Sequence, residues 1–206
     1  VTQSSAQQRE RMVRLVGVRM QQAIQSGLAR SFVEHQSDDG ATITIDGREL
    51  VNMGSCAYLG LNVDKRLKEG AVAAVERYGP VYSSSTAYTS IDLYRTLHRD
   101  LQAIFGGHVL IPTTTTLGHL SVLPVVVSPD DLVLMDHQVH ASVQLAAQVL
   151  RGLGAEVVDL PHNDVDSLAQ VLDERAAHHP RVWYLADGIY SMFGDTAPVR
   201  AIMELV

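Results

Sequence analysis

The sequence predicts an α/β protein, a mostly parallel sheet with helices on both faces, and three observations carry that expectation. Short apolar runs recur from His108 onward: HVLIP, DLVLMD, AEVVDLP and RVWYLAD. Between them lie longer stretches of helical periodicity, TLGHLSVLPVV, HASVQLAAQVLRGLG and VDSLAQVLDERAAH. No internal repeat or low-complexity linker interrupts this half. Strands alternating with helices in this way pair in parallel and bury both faces of their sheet.

The elements follow in order. QQRERMVRLVGVRMQQAIQSG places Met12, Leu15, Val16, Met20 and Ile24 at helical spacing, so an amphipathic helix should run to about Gly27. ATITIDGRELVNM alternates about Asp46-Gly47, the dipeptide that supplies the positive-φ turn of a two-residue hairpin. DKRLKEGAVAAVERYG reads as a helix ended by Gly79, and LYRTLHRDLQAIFGG as another with Leu93, Leu97, Leu101 and Ile104 on one face. In TLGHLSVLPVV, Pro124 requires the helix to be short or to kink. TAPVRAIMELV starts a last helix after Pro198, with Val199, Ile202, Met203 and Val206 apolar and no capping residue at its end; the sequence is expected to stop partway through a domain. The expected division is residues 1–80, an N-terminal helix, small hairpin and linking helix, and residues 81–206, the first part of a large domain.

Composition narrows the chemistry. The 206 residues are 46% hydrophobic and carry a formal net charge of −7 with no basic block, which disfavours nucleic acid and anionic membranes as partners. No run of about 18 apolar residues exists for a membrane span. Cys56 is the single cysteine, so no internal disulfide framework forms, and no targeting segment opens the chain; a cytoplasmic protein is expected. His137 and His140 lie in a turn and His178-His179 in a polar loop, so neither pair has metal-site spacing on a firm element, and no metal is expected. Gly-x-Ser-x-Gly, Walker and Gly-x-Gly-x-x-Gly motifs are absent.

In sheets of this class ligands gather beyond the carboxyl ends of the strands. That singles out Thr113 to Thr116, Asp136 to His140, His162 to Asp164 and Asp187 to Ser191. Thr115 and Thr116 open a helix, where hydroxyls and unpaired N–H groups can hold a phosphate; the alternative is that a threonine merely caps the helix. His140 stands at the sheet mouth, where an imidazole can lie against a flat ring or simply cap its helix. Asn163 and Asp164 read as local turn or cap residues. Asp187 and Ser191 put an acid and a hydroxyl just past a buried strand.

Four motifs in order, NMGSCAYLGL, DHQVHAS, HND and DGIYSMFGDTAP, resemble the α-oxoamine synthases, pyridoxal-phosphate enzymes of the fold type I aminotransferase-like architecture, over about residues 50 to 206. The resemblance implies an acyltransferase that condenses an amino acid with an acyl thioester, on coenzyme A or a carrier protein, as a homodimer. It places His140 on the face of the cofactor's pyridine ring, as the catalytic-site histidine, and Ser191 near the ring's 3-hydroxyl. Thr115 and Thr116 fall at the phosphate, where the family has glycine and an aromatic residue, and Asp187 matches an acid of the site's architecture. Two positions depart from the family's pattern: GPVYSSSTAYTSI, with Thr86, replaces a glycine-rich stretch, and Cys56 replaces an asparagine. An aminotransferase or decarboxylase of the same fold, or a non-catalytic module, are the alternatives. The family's Schiff-base lysine and ring-nitrogen aspartate fall downstream of Val206, and Lys65 and Lys68 match neither, so this segment alone is expected to be inactive.

Overall fold

The computed structural model describes residues 5–27, 29 and 31–205. Val206, the last apolar position of the C-terminal pattern, lies outside the described residues. The chain divides into two compact units, Val1–Ile91 and Asp92–Val206.

The first unit contains helix α1 (Ser5–Gln25) and an antiparallel sheet of β1 (His35–Gln36), β2 (Thr42–Ile45) and β3 (Arg48–Val51). Ile45 pairs with Arg48, and the two residues between them, Asp46 and Gly47, have φ of 50° and 66°. Both lie in the left-handed region, as the predicted two-residue hairpin requires. Helix α2 (Lys65–Tyr78) begins where the Asp64 carboxylate accepts from the Arg66 N–H and ends at Gly79, whose φ is 82°. Asp64 supplies an orphan donor with its partner; Gly79 adopts a conformation other residues avoid.

The second unit opens with α3 (Asp92–Phe105) and α4 (Thr115–Val126), then runs β4 (Leu132–Asp136), α5 (Ala141–Gly152), β5 (Glu156–Leu160), α6 (Val165–Arg175) and β6 (Val182–Leu185). The β7 (Ile189–Tyr190) and β8 (Asp195–Thr196) hairpin and α7 (Val199–Leu205) follow. Strands β5, β4 and β6 pair in parallel in that order. Alternation along β4 sends Leu132 and Leu134 to one face, against Leu168 of α6 and Ile202 of α7. Val133 and Met135 point the other way, with Leu150, Val143 and Ala147 of α5 and Leu123 of α4. Helices therefore cover both faces, as predicted. Every buried hydrophobic side chain among the described residues falls between Val127 and Ile202, so the core is this sheet and its helices.

One predicted strand is corrected. HVLIP forms no strand, although it has the composition of one. A strand is defined by its ladder, and no described strand pairs with residues 108–112. Instead this segment folds back onto α4: a Cβ on Gly118 would lie 2.8 Å from Pro112 Cγ, so the missing side chain is what permits the approach. An apolar cleft of about 360 Å³ lies alongside, bordered by Leu110, Pro112, Val122 and Leu123. Helix α4 runs two residues past Pro124, which sits in its last turn.

Candidate active site at the carboxyl edge of the sheet

Strand order explains where the site lies. From β4 the chain crosses to β5 on one side, then returns past β4 to place β6 on the other. The connections thus diverge between β4 and β6, and in sheets of this class ligands bind at the carboxyl ends of the strands where this happens. His140 follows β4 and Asp187 follows β6, and they meet there: the His140 N–H donates to Asp187 Oδ2 at 2.8 Å. The carboxylate stands at the N-terminus of α5, where helix and charge attract.

His140 is also the N-cap of α5. Its Nδ1 accepts from the Ser142 N–H at 3.2 Å and lies 2.7 Å from Ser142 Oγ. A backbone amide can only donate, so Nδ1 carries no proton and the neutral ring keeps its hydrogen on Nε2. Ser142 Oγ, which is buried, then donates to Nδ1 and accepts from His119 Nδ1 at 3.0 Å. The result is a directed chain, His119 to Ser142 to His140, that fixes ring orientation and tautomer.

The same chain ties α4 to this edge, because His119 lies one turn beyond Thr115. Thr114, rather than Thr115 or Thr116, is the cap; its Oγ1 accepts from the Leu117 N–H at 3.1 Å. The capping alternative thus applies to Thr114. Thr115 and Thr116 are the first two helical residues, with N–H groups that the helix itself cannot satisfy. Ser191 is exposed in the turn between β7 and β8, and its hydroxyl bonds to no described residue. The structure therefore connects His140, Asp187 and the Thr115–Thr116 turn through hydrogen bonds and leaves Ser191 outside that network.

A second cluster lies at the ends of β4 and β5. Asp136 is fully buried, yet it is ionised: burial works against its charge, but the Asn163 and Gln138 amides, each at 2.8 Å, and His162 outweigh this and hold its carboxyl below the usual range. His162 Nδ1 lies 3.0 Å from Asp136 Oδ2 and its Nε2 2.9 Å from Asp195 Oδ2. Burial lowers the tendency of His162 to charge, whereas the bonds to Asp195 and Asp136 raise it more, so its pKa stands above the ordinary 6.5. Tyr190 Oη is buried with no partner in hydrogen-bonding geometry, and burial followed by the Asp136 charge pushes the phenol upward. Asp164 behaves as the sequence suggests, capping α6 through the Ser167 N–H. Asn163 does more than form a local turn: at φ 55° its N–H reaches Asp136 and its Nδ2 reaches Asp195 and the Thr196 carbonyl.

Asp136 and His162 fall in the strand-end stretches that the sequence singles out, with no role assigned to either, whereas Ser142, His119 and Asp195 are not among its candidate site residues. Two signals were available, a serine two places after a capping histidine and a histidine one turn into the threonine-capped helix. Neither reveals that the two side chains meet.

Comparison with solved structures places this architecture. The chain superposes over 92% of its length on a serine palmitoyltransferase from S. paucimobilis, with a TM-score of 0.80 at 22% identity, and spans 48% of that chain. An 8-amino-7-oxononanoate synthase from Francisella tularensis gives 0.61 at 16% identity, over 74% of this chain and 41% of that one. The fold is accordingly that of the fold type I, aminotransferase-like class. In sequence, the chain is 36% identical over 186 residues to an 8-amino-7-oxononanoate synthase of Symbiobacterium thermophilum, covering 88% of this chain and 46% of that protein. It is 30% identical over 172 residues to a serine palmitoyltransferase of Bacteriovorax stolpii, covering 82% and 40%. No protein-family model matches. The chain belongs to the α-oxoamine synthase family and spans about half the length of the curated relatives it matches.

Proposed function

We propose that the protein carrying this segment is a pyridoxal-phosphate-dependent acyltransferase that joins an amino acid to an acyl thioester, on coenzyme A or a carrier protein. The observation that supports this most is the meeting of the residues that follow β4 and β6, where His140 is fixed by Asp187 on its backbone and on its ring by Ser142, itself bonded to His119. The residues present fit the cofactor. A locked, neutral imidazole suits stacking on its ring, and the free N–H groups at Thr115 and Thr116, with their hydroxyls, suit its phosphate. Ser191, with no hydrogen-bond partner for its hydroxyl among the described residues, offers it to the ring's 3-hydroxyl edge. Asp187 belongs to the site's architecture through His140 and α5.

When bound, the cofactor supplies an electron sink for charge developing on the amino acid's α-carbon. The work of this chain would be to orient: His140 would hold the ring by stacking, Thr115 and Thr116 would anchor the phosphate, and Ser191 would offer a hydrogen bond to the 3-hydroxyl. In this reading residues 1–80 precede a cofactor-binding part that begins at residue 81, and the whole protein is a cytoplasmic homodimer. No helix among the described residues is long and apolar enough to cross a membrane.

The test uses the full natural chain. Adding pyridoxal phosphate should give the visible absorbance of a bound cofactor, an amino acid should shift it, and an acyl thioester should then be consumed. His140→Ala should weaken cofactor binding roughly tenfold, the loss of about one aromatic contact. A full-length protein that takes up no cofactor overturns the reading. A shift with amino acid but no thioester consumption assigns it to an aminotransferase or decarboxylase of the same fold.

A further inference from the structure

We infer that His162 is a positioning residue of this site: as an imidazolium clasped between Asp136 and Asp195, it holds the β7–β8 hairpin, and with it Ser191, at the end of β4. The role of Ser191 rests on the function proposed above; the clasp itself does not.

Valence makes the first part of the case. Nδ1 of His162 faces Asp136 at 3.0 Å and Nε2 faces Asp195 at 2.9 Å. A neutral imidazole has one N–H and could serve only one of them, leaving a lone pair against the other carboxylate. Both nitrogens must donate, so the ring is charged. No lysine or arginine pairs with either carboxylate among the described residues, which leaves His162 as the cation between them.

The hairpin makes the second part. Its ladder has two residue pairs, Ile189 with Thr196 and Tyr190 with Asp195. So short a two-stranded ribbon is not stable by itself. Three of its residues close on His162: Asp195 by the bond above, Phe193 by stacking at 5.1 Å and 28°, and Tyr190 by an edge contact at 4.4 Å. Asn163 adds its contacts to Asp195 and Thr196. Ser191 sits between Tyr190 and Phe193, so its position follows from where these two are held.

The groups facing the ring set its response to pH. They are Asp136 of β4, Asp195 of β8, Tyr190 of β7, and His137, whose ring stands edge-on at 6.4 Å; Tyr184 of β6 senses the Asp136 charge from behind. Both carboxylates favour the charged imidazole, and the phenols stay neutral. The clasp is whole below the ordinary imidazole value of 6.5 and is lost as pH rises through the elevated value of the folded protein.

The test uses the full natural chain with its cofactor, labelled with 15N-histidine, and the variants His162→Gln and Asp195→Asn. Asp195 is half exposed, so its variant keeps the core intact. Both ring nitrogens of His162 should show protonated-type shifts at pH 7 and titrate above 6.5, and Asp195→Asn should move that titration downward. Chymotryptic cleavage after Phe193 should quicken by about tenfold in either variant, as expected when a charge-assisted bond is lost, and in the wild type at alkaline pH. The pH profile of cofactor absorbance should break at the same point. One protonated nitrogen at pH 7, or unchanged cleavage in both variants, overturns the clasp. If no cofactor binds, the functional reading fails while the labelled-histidine and cleavage results still decide the clasp.

Discussion

Ser142 shows how much one hydroxyl can organise. It is buried, it receives from His119 and it donates to His140, so Ser142→Ala strands the His119 N–H and leaves the His140 ring held by the backbone N–H of residue 142 alone. The expected cost is about 1–3 kcal/mol of stability, read from the urea midpoint, because an unmade bond in a covered site loses more than the bond was worth. Gly118 is a second such position. Alanine there meets Pro112 Cγ at 2.8 Å, and forcing the ring of Pro112 away should cost about 1–3 kcal/mol and disturb the Thr114–Thr116 turn. Thermal unfolding checks the first effect, and a weaker hold on pyridoxal phosphate in the full chain checks the second. His140, Asp187 and the threonines were legible from the sequence because each directly follows an apolar run or opens a helix. His119 and Ser142 were not, since their meaning comes from a hydrogen bond between two helices that no local pattern encodes.

At the scale of elements, the same contrast separates turns from ladders. The Asp46-Gly47 hairpin could be read from two residues, because its constraint is the positive φ of those residues. Nothing lies within 4 Å of a Cβ placed on Gly47. Gly47→Val should therefore cost only the conformational strain, about 1–2 kcal/mol, and faster amide exchange confined to Thr42–Val51 would show it. The segment HVLIP could not be read in this way: strand composition was present, whereas the partner that would make it a strand was not among the described residues. The β7–β8 ribbon failed in the opposite sense. Its residues look like a polar turn, SMFGDT, and its structure comes from docking on His162 and Asn163, contacts that cross from the end of β5. The parallel sheet succeeded because its central strand β4 is buried along its whole length and its apolar run records this directly, while the flanking β5 and β6 keep enough apolar residues to be read as strands beside it.

For the molecule as a whole, stability and the carboxyl-edge site share one buried carboxylate. Asp136 ends the central strand, so the core residues Leu132 to Met135 and the clasp at His162 are separated by a single peptide. Its acid side is a depressed carboxyl: the contribution is present above the ordinary value of 3.8 and is lost as pH falls through the lower value of the folded state. Its alkaline side is the His162 bond, which is whole below 6.5 and is lost as pH rises through the elevated imidazole value. These two groups together give a stability plateau spanning at least pH 3.8 to 6.5, with a fall on each side. Replacing Asp136 by Asn should lower the plateau and flatten both limbs, because the same carboxylate supplies the acid titration and one of the two partners of His162. Leu134→Ala, which touches neither group, should lose about 2–5 kcal/mol at every pH without altering the shape of the curve. Urea midpoints measured across pH for the two variants separate these cases: parallel curves for both would mean that Asp136 acts only through packing, and that the edge of the sheet carries no charge the core depends on.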